Sequence, residues 1–178
     1  MSAHLTAPEF SIVVAADQAN GIGQGGKLPW RLPAEMAFFK RLTTQAAPGR
    51  RNAVIMGRKT YESIAPRFRP LSERFNMVLS RDPSYRPQGA FVVSSLAEAL
   101  RELTQLETLD QLFCIGGGEL YTTALAHPLC RRVYLTRVHA DFDCDTRLAG
   151  FEEDFQLIAQ DGPHTEGELS YTFETYQR

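Results

Sequence analysis

The chain has little that would suit a metal, a membrane or a nucleic acid. Its 3 cysteines, Cys114, Cys130 and Cys144, are odd in number and widely spaced, which excludes a paired zinc motif and a closed disulfide framework. They read as reduced thiols, and Cys114, inside the apolar run Leu112-Phe113-Cys114-Ile115, reads as a small buried hydrophobe rather than a nucleophile. The 4 histidines are scattered, so no metal site is expected. A formal net charge of −2 without any run of Lys and Arg gives no electrostatic footprint for nucleic acid. No apolar stretch approaches membrane-spanning length, and residues 1–9 lack the charged start and apolar core of a signal peptide. The expectation is a cytoplasmic protein with residues 1–9 as a loosely ordered extension. With no repeat, low-complexity tract or linker in 178 residues, the chain reads as a single domain over 1–178, and as a monomer.

What is present is a series of short runs rich in Val, Ile and Phe. Strands are expected at Phe10–Ala16, Asn52–Met56, Phe75–Leu79, Phe91–Val93, Leu112–Ile115 and Arg132–Val138. Consecutive apolar residues, as in Ile12-Val13-Val14 and Val54-Ile55-Met56, suit strands covered on both faces of a largely parallel sheet. Helices should lie between them. One follows Pro33, where Met36, Phe39 and Leu42 share a face; another starts at Ser95, with Glu98 completing a capping box; a third runs from Glu119 to Ala126. Phe155–Gln160 and Leu169–Tyr176, separated by a polar stretch with Gly162, Pro163 and Gly167, predict two antiparallel edge strands. The fold class is α/β: a mostly parallel sheet flanked by helices, with antiparallel strands at the C-terminal end.

Three segments carry chemistry. Ile115-Gly116-Gly117-Gly118 ends a strand and opens a helix, so bare amides could meet a pyrophosphate, although a plain strand-to-helix turn fits the same residues. Gly57-Arg58-Lys59-Thr60 and Ser80-Arg81 end two further strands, and in a parallel sheet these ends share one edge where their cations could meet a phosphate. Taken singly, each of these cations reads as ordinary surface charge. Leu28-Pro29-Trp30-Arg31-Leu32-Pro33 holds the only tryptophan and precedes a helix whose first turn contains Glu35. An acid at that place serves the helix dipole, but one walled by Trp30, Leu32, Met36 and Phe39 is also suited to an amidine-like group.

Together these residues resemble the dihydrofolate reductase family, and the match runs nearly end to end. It includes Ile12-Val13-Val14-Ala15-Ala16, Gly21-Ile22-Gly23, Leu28-Pro29-Trp30, Glu35 with Phe39-Lys40, Val54-Ile55-Met56-Gly57-Arg58 with Thr60, and Arg69-Pro70-Leu71. Arg74 with Asn76, Leu79-Ser80-Arg81, the triglycine with Tyr121, Leu135-Thr136 and Asp145-Thr146 continue it. The resemblance implies hydride transfer from NADPH to dihydrofolate, with no metal. It gives Glu35 the grip on the pterin's 2-amino group and ring nitrogen, supported by Thr136, with Trp30 beside an ordered water and Tyr121 beside the nicotinamide. The proton for N5 would come from solvent.

By the same resemblance, backbone groups of Val13, Ala15, Ile22 and Ile115 face pterin or carboxamide, and Val14 and Leu28 belong to the substrate side. Met36, Phe39, Ile64 and Leu71 line the aminobenzoyl slot, and Arg74 pairs with the tail carboxylate. Gly57, Arg58, Lys59, Thr60, Leu79, Ser80, Arg81, Gly116, Gly117, Gly118, Glu119 and Leu120 hold the cofactor. The chain departs from many relatives at Gln24-Gly25-Gly26-Lys27, at Glu73, where glycine is common, and at Cys144, also often glycine. A reductase of similar fold acting on another pterin or pyrimidine is the alternative, and it would lack Trp30 followed by Glu35.

Overall fold

A computed structural model describes residues 7–178; residues 1–6 of the expected N-terminal extension lie outside the described residues. The strands are β1 (Phe10–Ala16), β2 (Gly21–Gly23), β3 (Arg51–Gly57), β4 (Arg74–Leu79), β5 (Phe91–Val93), β6 (Leu109–Cys114), β7 (Cys130–Val138), β8 (Thr146–Arg147), β9 (Gln156–Glu166) and β10 (Leu169–Gln177). The helices are α1 (Pro33–Thr44), α2 (Arg58–Ser63), α3 (Leu96–Thr104) and α4 (Gly118–Leu125), with a 3-10 turn at Pro66–Phe68.

The main sheet has the order β5-β4-β3-β6-β1-β7-β10-β9. It is parallel from β5 to β7, and β10 then pairs antiparallel with both β7 and β9. Alternation along the central strands feeds two cores. Ile12 and Val14 of β1, with Ala53 and Ile55 of β3, join the cluster under α3 and α4, whereas Val13, Val54 and Met56 join Tyr61, Phe113 and Val78 beneath α1 and α2. Burial on both faces is why these strands carry unbroken apolar runs. β6 returns between β3 and β1, so the carboxyl ends of β1, β3, β4 and β6 form one edge with a crevice at the reversal, the place where such sheets bind ligands.

Several expectations are corrected. β9 does not stop at Gln160: it continues to Glu166, and the residues read as a connection form a register irregularity inside the hairpin, whose turn is at Gly167 (φ +63°). Of these two strands only β9 is at an edge, with β10 between it and β7. The capping box is half formed. Ser95 Oγ accepts from the Glu98 amide at 3.1 Å, but the Glu98 carboxylate turns to the Ser94 amide and hydroxyl at 2.7 and 2.8 Å instead of the Ser95 amide. Helix α1 buries only Thr43 fully; Phe39 and Leu42 rest partly on the core, and Met36 is 59% exposed. The small β2–β8 sheet is unforeseen by periodicity. No helix among the described residues is long and apolar enough to cross a membrane.

Candidate active site

The triglycine turn is stitched to the end of β3: the Ile115 amide donates to Ile55 O at 2.9 Å and the Gly57 amide to Gly116 O at 2.8 Å. Gly116 has φ +114°, and a Cβ there would lie 3.0 Å from the Tyr121 ring, so a side chain is excluded twice over. A Cβ on Gly117 would meet Thr60 Oγ1 at 3.5 Å, and one on Gly118 would strike Thr146 Cγ2 at 2.8 Å, close to Ile22. Without side chains the turn gathers α2, the β2–β8 sheet and the start of α4 around bare backbone. Gly117, at the N-cap of α4, offers no side-chain acceptor, so that helix's first amides stay available. Glu119 is exposed there, and Leu120 is buried in the core.

The basic strand ends meet by register, since Gly57 of β3 stands opposite Leu79 of β4 and sets Arg58 and Lys59 beside Ser80 and Arg81. Arg58 is not a free cation. Its Nε lies 2.9 Å from Glu62, its NH1 lies 3.4 Å from Asp82, and its guanidinium stacks on Tyr85 at 4.2 Å. Arg81 is 94% exposed, with Glu119 at 3.9 Å, and Lys59 is exposed. Ser80 Oγ accepts from the Asp82 amide at 3.1 Å.

Across the crevice, Glu35 stands half-buried in the first turn of α1. Burial pushes its carboxyl up to about 7, and the facing Thr136 acts in the opposite sense. Thr136 is 1% exposed on β7, between Ala15 of β1 and Phe173 of β10. The Tyr121 hydroxyl donates to Val13 O at 2.8 Å, and burial holds that phenol well above its ordinary range. This bond takes up one lone pair of a carbonyl expected to serve substrate, leaving the other. The indole Nε1 of Trp30 is buried without an acceptor among the described residues, its ring 5.3 Å from Phe142.

Phe39, Ile64 and Leu71 converge on one apolar cluster, which Met36 does not join; Leu28 is likewise exposed, at 54%. Arg74 is 7% exposed, yet its partners are neutral: Nε donates to Ser72 O at 2.8 Å and NH1 to Thr43 Oγ1 at 2.9 Å. Burial lowers its pKa while the neighbouring Glu73 charge raises it. Among the described residues no carboxylate is paired with it, and its hydrogen bonds go to neutral oxygens only.

A family model described as dihydrofolate reductase matches residues 9–178. The dihydrofolate reductase of Heliothis virescens is 36% identical over 96% of this chain and 97% of its own length. The solved Schistosoma mansoni dihydrofolate reductase superposes with a TM-score of 0.83 at 36% identity, covering 97% of this chain and 99% of that one. The chain belongs to the dihydrofolate reductase family. It also matches longer plant proteins named bifunctional dihydrofolate reductase-thymidylate synthase, and spans about a third of their length; that of Daucus carota is 42% identical over 95% of this chain and 34% of its own.

Beyond the residues that carry the dihydrofolate reductase resemblance, two supporting groups, Asp17 and Asn52, escaped sequence reasoning. Asp17, fully buried, accepts from the amides of Ala19, Gly21 and Phe142 at 2.9, 2.7 and 3.0 Å, with the Cys144 thiol at 3.8 Å. Burial works to raise its pKa, and these bonds together bring it below the usual value. A Cβ on Gly21 would lie 2.6 Å from Cys144 Sγ, so the glycine makes room for the cysteine that departs from many relatives. Asn52 closes the end of α1 by donating to Thr43 O and Gln45 O at 3.0 and 2.9 Å, and Asn76 exchanges bonds with Leu71 beside Arg74. A polar residue opening an apolar strand was the available signal for Asn52. Glu73 takes φ +62°, the left-handed backbone that glycine adopts without strain.

Proposed function

We propose that this chain reduces 7,8-dihydrofolate to 5,6,7,8-tetrahydrofolate with NADPH, in the cytoplasm. The observation that carries the reading is Glu35 beside Thr136 on the wall facing the bare triglycine turn. In this reading the ionised Glu35 carboxylate accepts from the 2-amino group and ring N–H of the pterin, Thr136 orients it, and the unpaired Trp30 N–H donates toward the same edge. Phe39, Ile64 and Leu71 exclude water from the aminobenzoyl group, and Arg74 takes the tail carboxylate in a two-pronged pair that its rigid fork favours.

The residues present fit a phosphate-bearing dinucleotide: glycines that leave no Cβ in the cradle, open amides at α4, and cations on adjacent strand ends. Gly116, Gly117, Gly118 and Thr60 would hold the pyrophosphate side, and Arg58, Ser80 and Arg81 a 2′-phosphate. When bound, the nicotinamide supplies the hydride. The protein's part is then positioning and electrostatics. Buried, unpaired thiols at Cys114, Cys130 and Cys144 suit a reducing compartment. The test is loss of NADPH absorbance on addition of dihydrofolate. An active cofactor oxidation with another pterin or a pyrimidine, and none with dihydrofolate, would overturn the reading.

A further inference from the structure

We propose that Glu166, at the end of β9, is a positioning residue for Glu35, capping the first turn of α1 from outside the helix. This rests on the reading of Glu35 as the acid that grips substrate. Helix α1 begins without its own cap: Leu32 at the N-cap has no side-chain acceptor and Pro33 has no N–H. The first available donor, the Ala34 amide, points to the Glu166 carboxylate, with Oε1 at 3.4 Å and Oε2 at 3.3 Å across 132 residues of sequence.

Glu166 does not hang from a free loop. It pairs with Leu169 across the hairpin turn, and Phe173 of β10 packs on Phe38 of α1 at 4.3 Å. Leu32, just before the helix, shares an apolar cluster with Trp30, Val138 and Tyr171, against which Leu169 and Phe173 are packed. The C-terminal hairpin therefore grips the first turns of α1 through a polar tie and an aromatic one. Tyr171 records the proximity: burial raises its pKa first, then the charges of Glu166 and Glu35 do so in turn. The titratable groups facing Glu35 are Tyr121 from α4 and Tyr171 from β10, both raised phenols that stay neutral while Glu35 titrates. Loss of the tie would free the turn and let water reach Glu35, returning its carboxyl from about 7 toward 4.5.

The test compares E166A and E166Q with E168A, an exposed control in the same turn. Carbon-13 NMR of the free protein reads the Glu35 midpoint, and steady-state kinetics read KM for dihydrofolate and for NADPH. E166A should lower the midpoint by about one pH unit and raise the dihydrofolate KM roughly threefold or more, with the NADPH KM unchanged, because only the capped turn moves. E166Q keeps an oxygen acceptor and should stay near wild type, as should E168A. An unmoved midpoint in E166A overturns the proposal. So does an equal fall in E166Q, which would make the effect one of charge. Absence of any dihydrofolate turnover in the wild type would instead defeat the functional reading, while the NMR titration still decides whether Glu166 controls Glu35.

Discussion

Replacing Glu35 by Gln should trade activity for stability, in a way that depends on pH. The carboxyl holds its proton to about pH 7 in the folded chain, against 4.5 for a solvated glutamate, because burial disfavours the charged form. A raised folded pKa adds stability that is fully present below the unfolded value and is lost as pH rises through the folded value. At about 1.4 kcal/mol per pH unit the gap corresponds to about 3 kcal/mol, which partial exposure of the side chain reduces to about 1–3. Gln imitates the neutral acid and loses nothing as pH rises. E35Q should therefore match wild type near pH 4.5 and exceed it by that amount above pH 7, while its single-turnover hydride transfer to dihydrofolate falls roughly a hundredfold or more. Asp17 titrates in the opposite sense, its stability being lost as pH falls, but it is common to both proteins and cancels in the comparison. Urea unfolding of both across this range is the assay, with NADPH affinity read by Trp30 quenching to confirm that the cofactor side survives. A stability difference that stays constant from about pH 4.5 to 8 would refute the burial argument, and near-normal turnover would remove Glu35 from the substrate site.

Three further outcomes are expected. Arg74→Lys should raise the dihydrofolate KM and spare a pterin lacking the glutamate tail, since the fork is lost and the charge kept; equal losses for both substrates would assign Arg74 to the scaffold. Alanine at both Arg58 and Arg81 should remove most of the preference for NADPH over NADH in kcat/KM, through contacts to charged groups worth roughly 1.5–3 kcal/mol each, and an unchanged ratio would displace the 2′-phosphate site. Glu73→Gly should stabilise the chain by about 1 kcal/mol in urea unfolding by relieving a left-handed backbone, with no gain if φ +62° is unstrained there.

Much of the framework was legible because burial on both faces leaves a plain mark: Ile12-Val13-Val14 and Val54-Ile55-Met56 sit at strand centres, as their apolar runs imply. The C-terminal hairpin misled because Gly162 and Pro163, ordinarily turn residues, are absorbed within β9 as an irregular register. The β2–β8 sheet was invisible because its strands are only 3 and 2 residues long and are held by side-chain acceptors beside them, Asp17 four residues before Gly21 and Asp145 next to Thr146, the latter accepting from the distant Gly25 amide at 2.8 Å. Spacing brought Trp30 and Glu35 to notice, but not Thr43, whose hydroxyl reaches Arg74 across 31 residues. Met36 satisfied the helical period and still faces outward, because α1 meets the core along Phe39, Leu42 and Thr43.

The pairing of Arg58 with Glu62 and Asp82 bears on how fast an anionic cofactor would arrive. A guanidinium already matched by carboxylates contributes little to the far field that draws a phosphate in from solution, and Arg81 has Glu119 at 3.9 Å, so the long-range pull falls chiefly to Lys59. Arg58 would enter only on contact, exchanging one anion for another as Asp82 swings aside. Added salt should then slow association less than a count of the cations at these strand ends implies, and the pair would act as a latch on departure more than as a beacon for approach.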